Sequence, residues 1–152
     1  MVKMNPKNLM ISVFLGALII GILSTSGCIQ TETNTANSET KIQIMEDITP
    51  EEANILKQEN KDNLNFVILD VRTPEEFSDE YIGNAVNLDY YSNTFKNDLD
   101  KLDKNKTYLI YCRSGRRSEN TLNIMKDLDF REVYNVLGGI TKWKSEGLPT
   151  IK

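Results

Sequence analysis

The chain contains no histidine among its 152 residues. That single absence removes cysteine–histidine dyads, serine–histidine–aspartate triads and histidine-ligated metal centres. Cysteine is almost as scarce, with Cys28 and Cys112 alone. A four-cysteine zinc site is therefore excluded, and no cofactor is expected. Positive charge is not in excess either: 18 Lys and Arg face 22 Asp and Glu, for a formal net charge of −4. A nucleic-acid partner held through phosphate contacts is not expected. Against this acidic background Arg113, Arg116 and Arg117 crowd into the positions just after Cys112, a grouping that suits a small anionic ligand better than a polyanion.

What is present first is a leader. Lys3 and Lys7 precede the charge-free apolar run "LMISVFLGALIIGIL" (9–23), and the small residues Ser24, Thr25, Ser26 and Gly27 lead to Cys28. The pattern resembles a lipoprotein signal peptide over residues 1–27, cleaved before Cys28, whose thiol then carries the lipid. Thr25 stands where such leaders usually place leucine, and Leu23 is the nearest one. The alternatives are an uncleaved anchor, since residues 8–30 carry no charge and about 20 apolar residues span a bilayer, and simple secretion. The resemblance implies a domain anchored to the cell membrane through lipid and facing the extracytoplasmic side. Residues 28–42 include "IQTETNTANSETK", too poor in apolar side chains to offset chain entropy by burial, and are expected to form a flexible tether.

The remainder, 43–152, alternates short apolar runs with helical segments. "KIQI" (41–44) is a candidate first strand. "ITPEEANILKQEN" (48–60) offers a helix with Thr49 as N-cap, Pro50 in the first turn and Glu52 closing a capping box. "NFVILDVR" (65–72) is a continuous apolar run of the kind found in strands buried on both faces. A second capping box follows at Thr73, Pro74, Glu75 and Glu76, with Phe77 and Ile82 available for the core. After "AVNL" (85–88) and a polar stretch come the strand "TYLIY" (107–111), a helical segment from Arg116 with Leu122, Met125 and Leu128 near helical spacing, the strand "EVYNVL" (132–137), and a Gly-Gly step into "ITKWKSEGLP". Such alternation predicts an α/β fold with a central parallel sheet and helices on both faces.

Sites in such folds lie at the carboxyl ends of strands. Cys112 follows "TYLIY" directly and precedes a helix, so backbone N–H groups of residues 113–117 can curl around its sulfur, with the positive helix end behind them. Nearby arginines favour thiolate in the same sense. The bland alternative is a buried structural cysteine, which needs neither Ser114-Gly115 nor the arginines beside it.

The segments "DVRTPEEF" (70–77), "AVNL" (85–88), "YCRSGRRS" (111–118) and "NVLGGITKWKSEGLP" (135–149) occur in the order and spacing of the rhodanese domain, and the chain resembles that family over about residues 43–152. Family members with transferase activity have a six-residue loop opening on cysteine, here Cys112, Arg113, Ser114, Gly115, Arg116 and Arg117. Related phosphatases have one residue more, and Ser118 stands where their arginine would be. The resemblance implies sulfurtransferase activity through a persulfide on Cys112. Arg117 and Arg116 would bind the sulfonate end of a small anionic donor such as thiosulfate, Arg113 would lie on the rim, and a thiol or cyanide would be the acceptor. The domain is expected to act as a monomer. Asp70 and Arg72 match the family's "DVR" and read as a structural brace or as orienters of the loop. Gly138 and Gly139 would permit a close backbone approach near the site. Trp143 reads as a core or pocket-wall residue, and Tyr90, Tyr91 and Phe95 as packing aromatics. Where family members often have "GHIPGA", this chain has "EYIGNA" (80–85), with Tyr81 for the histidine and Asn84 able to take a left-handed turn. The rivals are a sulfur-carrier or binding module and a cysteine-dependent phosphatase or arsenate reductase.

Overall fold

Two strands carry apolar residues on both faces, and the sheet is built outward from them. In the computed structural model, which describes residues 42–152, these are β2 (Phe66–Asp70) and β4 (Thr107–Tyr111). Tyr108 and Ile110 enter one cluster with Leu69, Met125, Phe130 and Val133, while Leu109 and Tyr111 enter the other with Ile68, Val136, Ile140 and Trp143. A fully buried aliphatic or aromatic side chain contributes about 1.5–3 kcal/mol, so a strand with no solvent face belongs in the middle of the sheet.

The other strands are β1 (Ile44–Ile48), β3 (Ala85–Asn87) and β5 (Glu132–Val136). All pair in parallel in the order β1-β5-β4-β2-β3, with Leu109 opposite both Ile68 and Tyr134. Helices α1 (Pro50–Glu59) and α5 (Gly139–Ser145) supply Ala53, Ile140 and Trp143 to one cluster. Helices α3 (Phe95–Asp100) and α4 (Arg116–Asp127) supply Phe95, Leu99 and Met125 to the other. The expected α/β architecture, a parallel sheet with helices on both faces, is present.

Both capping boxes form. The Thr49 hydroxyl accepts from the Glu52 amide while Glu52 accepts from the Thr49 amide, and Thr73 and Glu76 do the same at the start of α2 (Pro74–Asp79). Asn84 takes a left-handed φ of 70°.

Three details differ from expectation. The first strand spans Ile44–Ile48 and not 41–44: its partner is β5, and its edge position tolerates Glu46 and Asp47, which hid it. The polar stretch after 85–88, for which no element was expected, contains α3, anchored by buried Phe95 and Leu99. Phe77 stacks on Tyr81 with ring centroids 4.6 Å apart and joins neither core cluster. The leader and Cys28 fall on residues 1–41, outside the described residues. Among the described residues no helix is long and apolar enough to cross a membrane.

The strand order decides where a ligand can sit. From β2 the chain moves outward to β3, and from β4 it moves the opposite way to β5. Loops leaving the carboxyl ends of these adjacent strands diverge and open a crevice between them. The turn from β2 into α2 forms one wall, and the turn from β4 into α4 forms the other.

Candidate active site

Cys112 stands at the head of the second wall, 1% exposed, and among the described residues it is the free cysteine. Its sulfur accepts a hydrogen bond from the Gly115 amide at 3.2 Å and one from the Ser118 hydroxyl at 3.6 Å. Burial alone would push the thiol up. The Ser118 hydroxyl and amide, with the amides of Ser114 and Gly115, outweigh burial and hold Cys112 below the ordinary thiol range. The lowering comes from these donors, which solvate a thiolate and do little for a thiol.

Two glycines make this curl possible. Gly115 caps α4 at φ 100°, a conformation that side chains rarely adopt. Gly139 opens α5 at φ 57°, and a Cβ there would lie 2.2 Å from the Cys112 carbonyl oxygen and 2.8 Å from the Arg113 carbonyl. That contact lets the first amides of α5 hold the loop from behind: Ile140 donates to the Cys112 oxygen at 2.9 Å and Thr141 to the Arg113 oxygen at 3.1 Å. With its carbonyls tied backward, the loop turns its N–H groups toward the sulfur.

The arginines divide into two kinds. Arg117 is buried and spans the crevice to Glu76 on α2, its two terminal nitrogens 2.7 and 2.9 Å from the carboxylate oxygens. Its guanidinium also lies over the Tyr91 ring, 5.4 Å from the centroid. The Arg117 hydrogen bond holds the Glu76 carboxyl below its usual range, and Glu76 in turn raises Arg117. Arg113 and Arg116 are exposed. Together with Cys112, Ser114, Arg117 and Tyr91 they line a cavity of about 430 Å³.

Asp70 and Arg72 lie beneath, at the end of β2. Asp70 is fully buried, and the Arg72 Nε and a terminal nitrogen meet its carboxylate at 2.6–3.0 Å. The same terminal nitrogen donates to the Glu80 carbonyl at 2.6 Å, and the Arg72 guanidinium sits 5.7 Å from the Tyr111 ring centre. This pair braces the turn from β2 into α2 and does not line the Cys112 cavity. Trp143 is fully buried and donates to the Pro149 carbonyl, while Tyr90 packs against Phe95, a member of the cluster that holds Leu69 and Ile110.

The structure thus brings residues 112–118 into one cradle, shows the close backbone approach expected at Gly139, and adds Glu76 and Tyr91. Glu76 escaped the sequence reading because its capping-box role already accounted for it. Among the described residues no group of three metal-ligating side chains clusters closely enough to hold a metal. A polarised thiolate in an amide-lined cradle beside cations can attack an electrophilic sulfur and stabilise the anion that results.

The comparisons with known proteins agree with this geometry. The chain is 34% identical over 79 residues to thiosulfate sulfurtransferase GlpE of Coxiella burnetii, covering 52% of this chain and 72% of that one. It is 30% identical over 96 residues to a sulfurtransferase of Allochromatium vinosum, covering 63% and 88%. Among solved structures, a rhodanese-like domain protein from Staphylococcus aureus superposes with a TM-score of 0.56 at 34% identity, over 71% of this chain and 99% of that one. A rhodanese-related protein from Thermoplasma volcanium gives 0.58 at 26% identity, over 70% and 97%. The model of the rhodanese-like domain matches residues 51–146, and the chain belongs to that family.

Proposed function

We propose that the domain is a sulfurtransferase working through a persulfide on Cys112. The observation that carries this reading is the Cys112 sulfur itself, which accepts from the Gly115 amide and the Ser118 hydroxyl and lines a cavity with Arg113 and Arg116, neither of them paired among the described residues. In the first step the Cys112 thiolate attacks the outer sulfur of a thiosulfate-like donor. The bond to the sulfonate sulfur breaks and its electron pair leaves with sulfite, so the enzyme holds Cys112–S–S⁻. In the second step an acceptor removes the terminal sulfur and restores the thiolate; with cyanide the product is thiocyanate. Arg116 attracts the donor's sulfonate, with Arg113 on the rim. Arg117, held by Glu76, adds its charge to the field at the sulfur.

The test is the intact mass of the protein after thiosulfate and again after cyanide. Gain of one sulfur atom at Cys112, discharged by cyanide, is the expected result. A folded protein that gains no mass and instead hydrolyses a phosphate ester would replace this reading with a phosphatase.

We also propose that the leader anchors the domain to the membrane through lipid on Cys28. Its basis is Lys3, Lys7, the apolar run 9–23 and the small residues before Cys28. Mass analysis of the mature N-terminus tests it, and an intact Met1 would sink it.

A further inference from the structure

A second cavity, of about 410 Å³, lies alongside the Cys112 cavity, and the two share Arg113 and Glu76 in their walls. Most of its charged groups are already committed. Arg72 is paired with Asp70, Glu76 with Arg117, and Glu80 with Lys144. Two charged groups on its wall have no ion pair or hydrogen bond among the described residues: the Arg113 guanidinium and the Asp79 carboxylate, both exposed. A cavity with one unclaimed cation and one unclaimed anion complements a ligand carrying both signs. A simple sulfur oxyanion satisfies Arg113 but meets a repulsive carboxylate at Asp79. Arg113 and Glu76 stand in the walls of both cavities, so a ligand held by Arg113 lies at the boundary with the cavity that Cys112 lines.

We infer that this second cavity is the acceptor subsite and takes a zwitterionic thiol of the amino-acid class, its carboxylate on Arg113 and its ammonium on Asp79. The inference rests on the persulfide reading of Cys112 and assigns the second half of that reaction. The acceptor's thiol proton passes to the terminal sulfur of Cys112–S–S⁻, and the acceptor thiolate attacks that sulfur. The bond to Sγ breaks, its electron pair stays on Sγ, and the products are the Cys112 thiolate and the acceptor persulfide R–S–SH. No outside oxidant is needed. Donor and acceptor then approach the one sulfur from two cavities, each with its own selectivity.

The full chain is first loaded with thiosulfate, and persulfide on the Cys112 peptide is confirmed by mass. Discharge is then timed with cysteine (both charges), cysteamine (ammonium only) and N-acetylcysteine (carboxylate only). Each thiol's rate with a variant is divided by its own rate with wild type, which cancels intrinsic thiol reactivity. Asp79→Asn is expected to slow cysteine and cysteamine by about threefold to fivefold, the scale of one solvent-accessible ion pair, and not to slow N-acetylcysteine. Arg113→Gln is expected to slow cysteine and N-acetylcysteine more than cysteamine. A general loop defect would slow all three thiols together, and that result, or no change with Asp79→Asn, overturns the subsite. Failure of the wild type to load at all overturns the persulfide reading itself.

Discussion

Ser118→Ala isolates one of the donors that hold the Cys112 thiol below its ordinary range. The Ser118 hydroxyl sits 3.6 Å from the sulfur and 3.0 Å from the Gly115 carbonyl oxygen. Its one proton serves the carbonyl when Cys112 is a thiol and turns to the sulfur when it is a thiolate. A hydrogen bond to a charged group is worth about 1.5–3 kcal/mol at good geometry. This one is long and gives up a neutral bond when it forms, so the net effect falls near or below that lower bound. Removal therefore raises the Cys112 pKa and, at a pH below both inflections, leaves about threefold to tenfold less thiolate. The fold should survive, because the Gly115 oxygen keeps the Glu119 amide at 2.9 Å. The assay is the pH dependence of iodoacetamide alkylation, read on the peptide carrying Cys112. Wild type should show its inflection below the value of a free cysteine, about 8.5, and the variant should shift upward. Stability must follow with a definite sign. With the folded pKa depressed, the unfolded chain binds more protons between the folded and unfolded pKa values, so stability rises with pH across that window. The gap between wild type and Ser118→Ala should therefore widen as pH rises through that window and, below the folded pKa, fall to the pH-independent cost of the lost Ser118–Gly115 hydrogen bond. A wild-type inflection at or above that of free cysteine, or identical inflections in both proteins, would refute the reasoning.

The crevice-spanning pair gives a second prediction. Glu76→Gln retains a capping acceptor for Thr73 but leaves buried Arg117 facing a neutral amide, and with the Glu76 side partly solvated the loss should be about 1–2 kcal/mol in urea unfolding. Sulfur loading should slow in the same variant, and unchanged loading kinetics would remove Glu76 from the site. Gly139→Ala forces a Cβ into the backbone carbonyls of Cys112 and Arg113, with no flexible side chain to yield. Loss of loading is expected with a stability cost of about 3 kcal/mol or more, on the scale of overpacking combined with left-handed strain. Arg117→Ala should weaken donor use more than Asp70→Asn, whereas Asp70→Asn should cost more stability because it leaves Arg72 buried beside a neutral group. Equal thiosulfate kinetics for the two variants would contradict the assignment.

How much of this was legible in the sequence depends on whether a residue's role is local. Thr49, Thr73 and their partner glutamates act within one helical turn, and their capping boxes could be read directly. The runs 66–69 and 108–111 are apolar throughout, as a doubly covered strand requires, so the central strands could be read too. Edge strand β1 could not be placed, because Glu46 and Asp47 obey no alternation and only pairing with β5 makes that segment a strand. The cradle was legible as far as the peptide reaches, since Cys112 to Ser118 curl on themselves. Its outer parts were not.

Glu76 shows why. In sequence it closes a capping box, and that role explains its presence completely, so nothing marks it for another. The sheet order then sets the turn after β2 beside the turn after β4, and the carboxylate that caps α2 also receives Arg117 from 41 residues away. One side chain thereby ties the start of α2 to the start of α4, the helix that begins on the sulfur's own donors. The same placement decides which arginines remain free. Arg117 is bound, while Arg113 and Arg116 are left to the cavity, a division that three arginines in one short run cannot reveal. Selectivity in this domain therefore resides less in the cysteine loop than in what the opposite wall contributes to it: Glu76 by claiming a cation, Asp79 by having no partner among the described residues.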